Sequence, residues 1–181
     1  MSKRTALYRG FIVEGRDPDG HGRVQVSLPD FDEQVWAARA TLDAGEQRGT
    51  WFVPDNGDEV LVAFEQGEAS NPVVIGSLWS SDQHPPESDP KQTLVRTHAA
   101  TAVLDDGSGT IEVSDIHGNA VTLSAGGITI KSASKVKLTA SMIEIEAGSI
   151  RIHAAVSEFS GLVQCDGLTA NSVITTATGG S

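Results

Sequence analysis

The sequence predicts an all-β protein in two parts: a small barrel or sandwich, followed by a stack of short strands. Short runs alternate apolar and polar residues, the period of a strand with one buried face. Clusters of Pro, Gly, Asp and Asn break those runs at close intervals. No stretch sustains the 3.6-residue apolar period of an amphipathic helix.

Tyr8 to Glu14 reads as a first strand. Asp17-Pro18-Asp19-Gly20-His21-Gly22 is a turn signal, with Pro fixing φ and Gly permitting positive φ. Arg23 to Leu28 alternates strictly until Pro29-Asp30 stops it. Residues 35–40, with Trp36, make another strand, and residues 43–48 allow at most one short helical turn. Thr50-Trp51-Phe52-Val53-Pro54 leads into the turn Asp55-Asn56-Gly57-Asp58. Glu59 to Phe64 alternates again, and Pro72-Val73-Val74-Ile75-Gly76-Ser77-Leu78-Trp79 closes the series. Five or six short strands in about 80 residues fit a compact barrel or sandwich, and an oligonucleotide/oligosaccharide-binding (OB-type) barrel is one good match. The spacing of Trp36, Trp51 and Trp79 among the strands places them in its core.

Composition changes near residue 90. All seven prolines lie at or before Pro90, and Phe159 is the one aromatic beyond it. The polar run from Ser80 to Pro90 reads as a linker. The expected organisation is a barrel at 1–80, a Pro-rich linker at 81–95, a shaft at 96–160, and a tip or cap segment at 161–181.

The shaft rests on one repeated unit of apolar, usually polar, apolar. It occurs as Ile111-Glu112-Val113, Val121-Thr122-Leu123, Ile128-Thr129-Ile130, Val136-Lys137-Leu138, Ile143-Glu144-Ile145 and Ile150-Arg151-Ile152. Repetition at this period, with Gly, Ser and Ala in the breaks, indicates stacked rungs. Six rungs folded as a single-chain coil give about two turns, too few to enclose a core. Three copies wound about one axis close the sheet and remove its exposed edges. The expectation is an intertwined trimeric β-helix, on the order of 30 Å long at about 4.8 Å per strand. Its core would be Val121, Leu123, Ile128, Ile130, Val136, Leu138, Ile143, Ile145, Ile150 and Ile152. Lys137, Glu144 and Arg151 would face water.

Charge weighs against some functions. The net charge is −11, whereas a nucleic-acid or anionic-membrane partner calls for a basic surface. The single Cys165 rules out an intrachain disulfide and reads as a small buried hydrophobe. The start lacks the apolar core of a signal peptide, so cytoplasmic assembly is expected. Histidines 21, 84, 98, 117 and 153 form no metal-ligand pattern, although His153 or Cys165 would meet its copies on a threefold axis. The aspartates at 17, 19, 55 and 58 sit on turn signals, where carboxylates hold backbone N–H groups. No nucleophile–base pattern is present, so the reading is of a non-enzyme with no catalytic, metal or cofactor site.

Four motifs in order carry a resemblance. They are Asp17-Pro18-Asp19-Gly20-His21-Gly22-Arg23-Val24-Gln25-Val26, Trp36-Ala37-Ala38-Arg39, residues 52–64 from Phe52-Val53-Pro54-Asp55-Asn56-Gly57-Asp58 onward, and Asn71-Pro72-Val73-Val74-Ile75-Gly76-Ser77-Leu78-Trp79. Over about residues 8–160 the chain resembles the spike proteins of contractile injection machines, namely phage baseplate assembly protein V and the valine-glycine repeat proteins of type VI secretion. The resemblance implies an OB-type barrel joined to a trimeric β-helix. It also implies a homotrimeric spike that plugs the inner tube at the baseplate and punctures the target envelope when the sheath contracts. Such a spike would contact a target membrane transiently and reside on a phage tail or phage tail-like particle, extracellular after release. Three departures qualify the match: no lysozyme domain at 80–95, no hub domain ahead of the barrel, and no iron-binding His-x-His. They imply a separate hub or inner-tube protein above the barrel and a PAAR-type protein at the tip. Two other readings remain at this point: an OB-type module binding nucleic acid or glycan through its tryptophans, and a passive adhesin stalk.

Overall fold

The computed structural model describes residues 3–167. The chain divides into two compact units, one ending at Lys135 and one beginning at Val136.

The first unit begins with a barrel. Its strands are β1 (Tyr8–Glu14), β2 (Val24–Leu28), β3 (Glu33–Arg39), β6 (Glu59–Phe64) and β7 (Pro72–Ser77), closed in the order β1-β2-β3-β7-β6. Neighbours are antiparallel except for β3 and β7, which run parallel. A closed five-stranded barrel of this kind is the OB-type architecture. Sequence alternation places the core directly. Val24, Val26 and Leu28 of β2 point inward, with Ile12, Ala37, Val60, Val62, Phe64 and Val74 from the other strands. Gly10 is small for a packing reason: a Cβ there would lie 2.4 Å from Val26 Cγ1. Tyr8, Phe31 and Phe64 cap one end edge to face, with the Arg4 guanidinium 3.8 Å from the Phe31 ring centroid.

Three expectations for this region change. Residues 43–48 form no helical turn; β4 (Ala44–Gly45) and β5 (Arg48–Gly49) pair as a two-residue hairpin in the connection from β3 to β6. An Arg48–Asp43 ion pair at 2.7 Å supports it, in a stretch rich in Gly and free of apolar periodicity. Trp51 and Trp79 are not core residues, being 69 % and 65 % exposed. Val, Leu and Ile fill the small barrel, which leaves no room for indoles. The third change concerns the linker. Strand β8 (Gln92–Arg96) begins inside the stretch read as linker, so the irregular connection ends earlier.

After the barrel comes a five-stranded antiparallel sheet in the order β12-β11-β10-β9-β8. It adds β9 (Ala100–Asp105), β10 (Thr110–Asp115), β11 (Ala120–Ser124) and β12 (Gly127–Lys131) to β8. The first three repeat units are therefore consecutive arms of a meander within one chain, not turns of a coil. The tight turns at Gly107, Gly118 and Gly127 are too short to carry a strand back in parallel, which needs a crossover of a dozen residues or more. In the second unit, described to Gly167, residues 136–167 form no regular secondary structure. The expected cap segment lies outside the described residues from position 168 onward.

Candidate assembly interface

The sheet β8–β12 has two chemically different faces, and its register fixes which residues share each. Ile111 is opposite both Leu104 and Leu123, and Leu123 is opposite Ile128. One pleat along, Val113 is opposite Ala102 and Val121, Val121 opposite Ile130, and Ala102 opposite Val95. Because period two puts paired residues on one side, these two rows make one apolar face across all five strands.

The opposite face is polar apart from Leu94 and Val103 on β8 and β9. Leu94, Val103, Glu112, Thr122 and Thr129 form its central row. Gln92 donates to Asp105 at 3.3 Å, Thr122 to Glu112 at 3.5 Å, and Arg96 Nε to the Thr101 hydroxyl at 3.3 Å. Asp115 closes the β10–β11 turn by accepting from the N–H groups of His117 and Asn119 and from the Asn119 amide. The Asn119 side-chain bond, with the backbone donors, holds the Asp115 carboxyl below its ordinary range. Asp105 is lowered likewise, first by the Ser108 N–H in the β9–β10 turn.

The apolar face is the uncovered one. Val95, Leu104, Ile111, Val113, Val121, Leu123, Ile128 and Ile130 are 40 to 71 % exposed. Covering the remaining surface of eight such side chains is worth about 1 kcal/mol each, on the order of 10 kcal/mol per chain. An apolar face of this extent marks an interaction site. The fold therefore brings together four of the expected core residues, Val121, Leu123, Ile128 and Ile130. It adds Val95, Ala102, Leu104, Ile111 and Val113: the sequence reads residues 101–104 as a candidate strand and Ile111-Glu112-Val113 as a repeat unit without placing them in the core, and the adjacent Leu94 and Val95 break the alternation in β8. The other six, Val136, Leu138, Ile143, Ile145, Ile150 and Ile152, lie in the second unit, exposed and in no strand.

The motif-rich loop between β1 and β2 is built as a brace. The Asp17 carboxylate accepts from the N–H groups of Asp19, His21 and Arg23 and from the Arg23 guanidinium, the last at 3.0 Å through both Nε and Nη2. Arg23 also reaches Asp19 at 2.6 Å. The Arg23 side-chain bond, ahead of the backbone donors, holds the Asp17 carboxyl far below its usual range. Every lone pair of Asp17 is thus occupied by its own loop, which fits the turn-holding role expected of it. Asp58 does the same for the next turn, accepting from the Asp55 N–H at 2.8 Å. At the barrel rim the buried Glu59 carboxylate pairs with Arg9. His98 pairs with Asp55 at 3.1 Å on an exposed surface. Among the described residues no three His, Cys, Asp or Glu side chains are grouped to hold a metal, and Cys165 is free and exposed. No helix among them is long and apolar enough to cross a membrane.

Comparison with known proteins agrees with this geometry. Residues 8–79 match the type VI secretion system/phage-baseplate injector OB domain, the span of the observed barrel. Over 89 residues the chain is 32 % identical to the actin cross-linking toxin VgrG1 of Vibrio cholerae serotype O1, covering 44 % of this chain and 8 % of that protein. Over 113 residues it is 30 % identical to the type VI secretion system spike protein VgrG5 of Pseudomonas aeruginosa, covering 59 % of this chain and 14 % of that protein. The chain thus spans a small fraction of the curated relatives it matches. The barrel is similar to injector OB domains, and over the matched residues the chain is similar to VgrG spike proteins.

Proposed function

We propose that this protein is the homotrimeric central spike of a contractile injection machine, that its sheet and the units after it form an intertwined shaft, and that the shaft punctures the target envelope on sheath contraction. The supporting observation is the apolar face of β8–β12, left open in a single chain while the polar face carries the hydrogen bonds. An antiparallel sheet normally covers its apolar side. The units at 136–152 repeat the same apolar spacing, and three copies would give each an interstrand partner. Every rung would then be held by neighbours from other chains, which resists local unfolding under load. The function lies in shape and stiffness, and we assign no catalytic role.

On this reading the spike assembles in the cytoplasm, its barrel faces a separate hub or inner-tube protein, and a PAAR-type protein caps the far end. Light scattering on the purified full chain, followed by electrophoresis in detergent with and without boiling, tests the proposal. The expected species is three times the 19.0 kDa chain mass and resists detergent until heated. A monomer at micromolar concentration refutes it.

A further inference from the structure

The barrel has one thin seam, between β3 and β7. Only two residue pairs join these strands, Ala38 with Val73 and Arg39 with Val74, followed by one bond from the Ala40 N–H to the Val74 carbonyl at 2.8 Å. Beyond it β7 is bulged. Leu61 pairs with Gly76 and Val62 with Val74, so Ile75 has no partner residue and is 44 % exposed. The strands part there around a groove of about 340 Å³. Residues Ile75 to Ser77 lie beyond the pairing with β3, and of them only Gly76 and Ser77 pair with β6. Leu42 and Phe52, both exposed, supply the apolar wall opposite Ile75, and a Cβ placed on Gly76 would meet nothing within 4 Å.

The charge in this groove opposes that of the molecule. The chain carries 24 acidic residues, yet none lines the groove, and Arg39 is the one charged residue that does. The Arg39 guanidinium lies 4.6 Å from the Trp51 ring centroid, and its Nη1 donates to the Phe52 carbonyl. Its Nε is shielded from solvent without a hydrogen-bond partner, and no carboxylate among the described residues pairs with it. A planar, partly desolvated guanidinium without a counter-charge is matched by a carboxylate.

We propose that the groove between β3 and β7 docks an extended segment of another protein, placing a carboxylate on Arg39 and apolar side chains against Leu42, Phe52 and Ile75. The unpaired edge at Ile75–Ser77 receives the segment's backbone by strand addition. Groups contacting one wall of the groove share a strand face, so the apolar side chains stand two residues to either side of the carboxylate. In this chain the acidic residue with large apolar neighbours at both such positions is Glu33, between Phe31 and Val35. Glu33 is fixed in β3 on Arg4 at 2.8 Å. The repeat units place their apolar residues directly beside the charge, as in Ile143-Glu144-Ile145, on the opposite strand face. A second copy therefore offers no matching segment, and a different protein does. The groove belongs to the barrel, so this holds whether or not the sheet assembles.

The test titrates full-length protein with acetyl-Leu-Thr-Glu-Thr-Leu-amide and with the same peptide carrying Gln in place of Glu, read by tryptophan fluorescence because Trp51 lies against Arg39. The Glu peptide should saturate, with the Gln peptide about tenfold or more weaker, the usual worth of a charge-assisted bond. Arg39→Gln should reduce that preference to about unity. Gly76→Leu, whose Cβ meets no atom within 4 Å and whose side chain occupies the groove, should abolish binding of both peptides with the circular dichroism spectrum unchanged. Equal affinity for the two peptides overturns the proposal, as does a preference that survives Arg39→Gln or binding that survives Gly76→Leu. Absence of saturation by the Glu peptide up to about 5 mM also overturns it. If Arg39→Gln instead lowers the molar mass of the protein in solution, the occupant is a second copy and the proposal is wrong.

Discussion

Substituting Val113 by Lys isolates the apolar face of the sheet. Val113 sits in the central strand β10, between Ala102 and Val121, and is 53 % exposed in a single chain. In an isolated chain the lysine stem lies along the sheet and its ammonium reaches water, so folding changes little. In a trimer the same position is covered. The lost apolar contact is worth about 1 kcal/mol per chain. Desolvating an unpaired ammonium costs several kcal/mol when complete, and stem flexibility relieves part of this. A net of about 2–3 kcal/mol per chain gives about 6–9 kcal/mol per trimer, a fall on the order of 10⁴ to 10⁶ in the assembly constant. Sedimentation velocity across a hundredfold concentration range reads this directly. Thr129→Lys on the polar face of β12 is the control and should sediment as the parent does. If Val113→Lys keeps the parent's mass and detergent resistance, the apolar face is not buried between copies and the assembly reasoning fails.

Three further outcomes are expected. Gly10→Ala should destabilise the barrel by about 1–3 kcal/mol, since its methyl meets Val26 at 2.4 Å and the Ser27 carbonyl at 3.0 Å in a packed wall; urea denaturation followed by tryptophan fluorescence measures it. Acid should weaken the fold below about pH 4. Asp17, Asp105 and Asp115 all titrate below their ordinary value when folded, so their stabilisation is complete above the unfolded pKa of about 4 and is lost as pH falls through the folded values. Asp17→Asn should lower the melting temperature at pH 7 and flatten the drop between pH 4 and pH 2. Finally, dilution should lower the melting temperature of the sheet signal and leave that of the barrel unchanged, since only the barrel has its own buried core; a single concentration-independent transition contradicts that division.

The sequence made the barrel legible where alternation was strict. Arg23 to Leu28 alternates strictly and yields β2 with Val24, Val26 and Leu28 inward, while Tyr8–Glu14 and Glu59–Phe64 keep their expected bounds because turn residues close them at Gly15 and Glu65-Gln66-Gly67. The hairpin at 44–49 was not legible: two glycines with no apolar residue between them carry no period to read. The tryptophans misled because indole usually means burial, whereas Trp51 here lies beside Gly22 and beneath Arg39, outside a barrel that aliphatic side chains fill. The groove at Arg39 was invisible for a different reason. It depends on a bulge at Ile75 and on where two strands part, and both are properties of pairing that no single strand's sequence encodes.

The repeat units carry the same lesson about pairing. Ile111-Glu112-Val113 and Ile143-Glu144-Ile145 are nearly the same in sequence, yet one is a paired strand and the other forms no strand. Local pattern cannot separate them, since each offers two apolar side chains and one polar one. What differs is the connection. Asp105-Asp106-Gly107-Ser108-Gly109 and Asp115-Ile116-His117-Gly118-Asn119 hold their aspartates on backbone N–H groups and fold the chain back upon itself. Ser124-Ala125-Gly126-Gly127 does the same with the Ser124 hydroxyl accepting from the Gly126 N–H, whereas the breaks Thr139-Ala140-Ser141-Met142 and Glu146-Ala147-Gly148-Ser149 contain no Asp, Asn, Pro or Gly-Gly pair and make no such turn. Without a turn, a strand of three residues cannot find its neighbour in its own chain. Its apolar spacing is nevertheless retained through Ile152, and an apolar pattern kept where no intrachain partner exists is best met by another copy. Turn chemistry therefore marks where a self-sufficient fold gives way to one that depends on assembly.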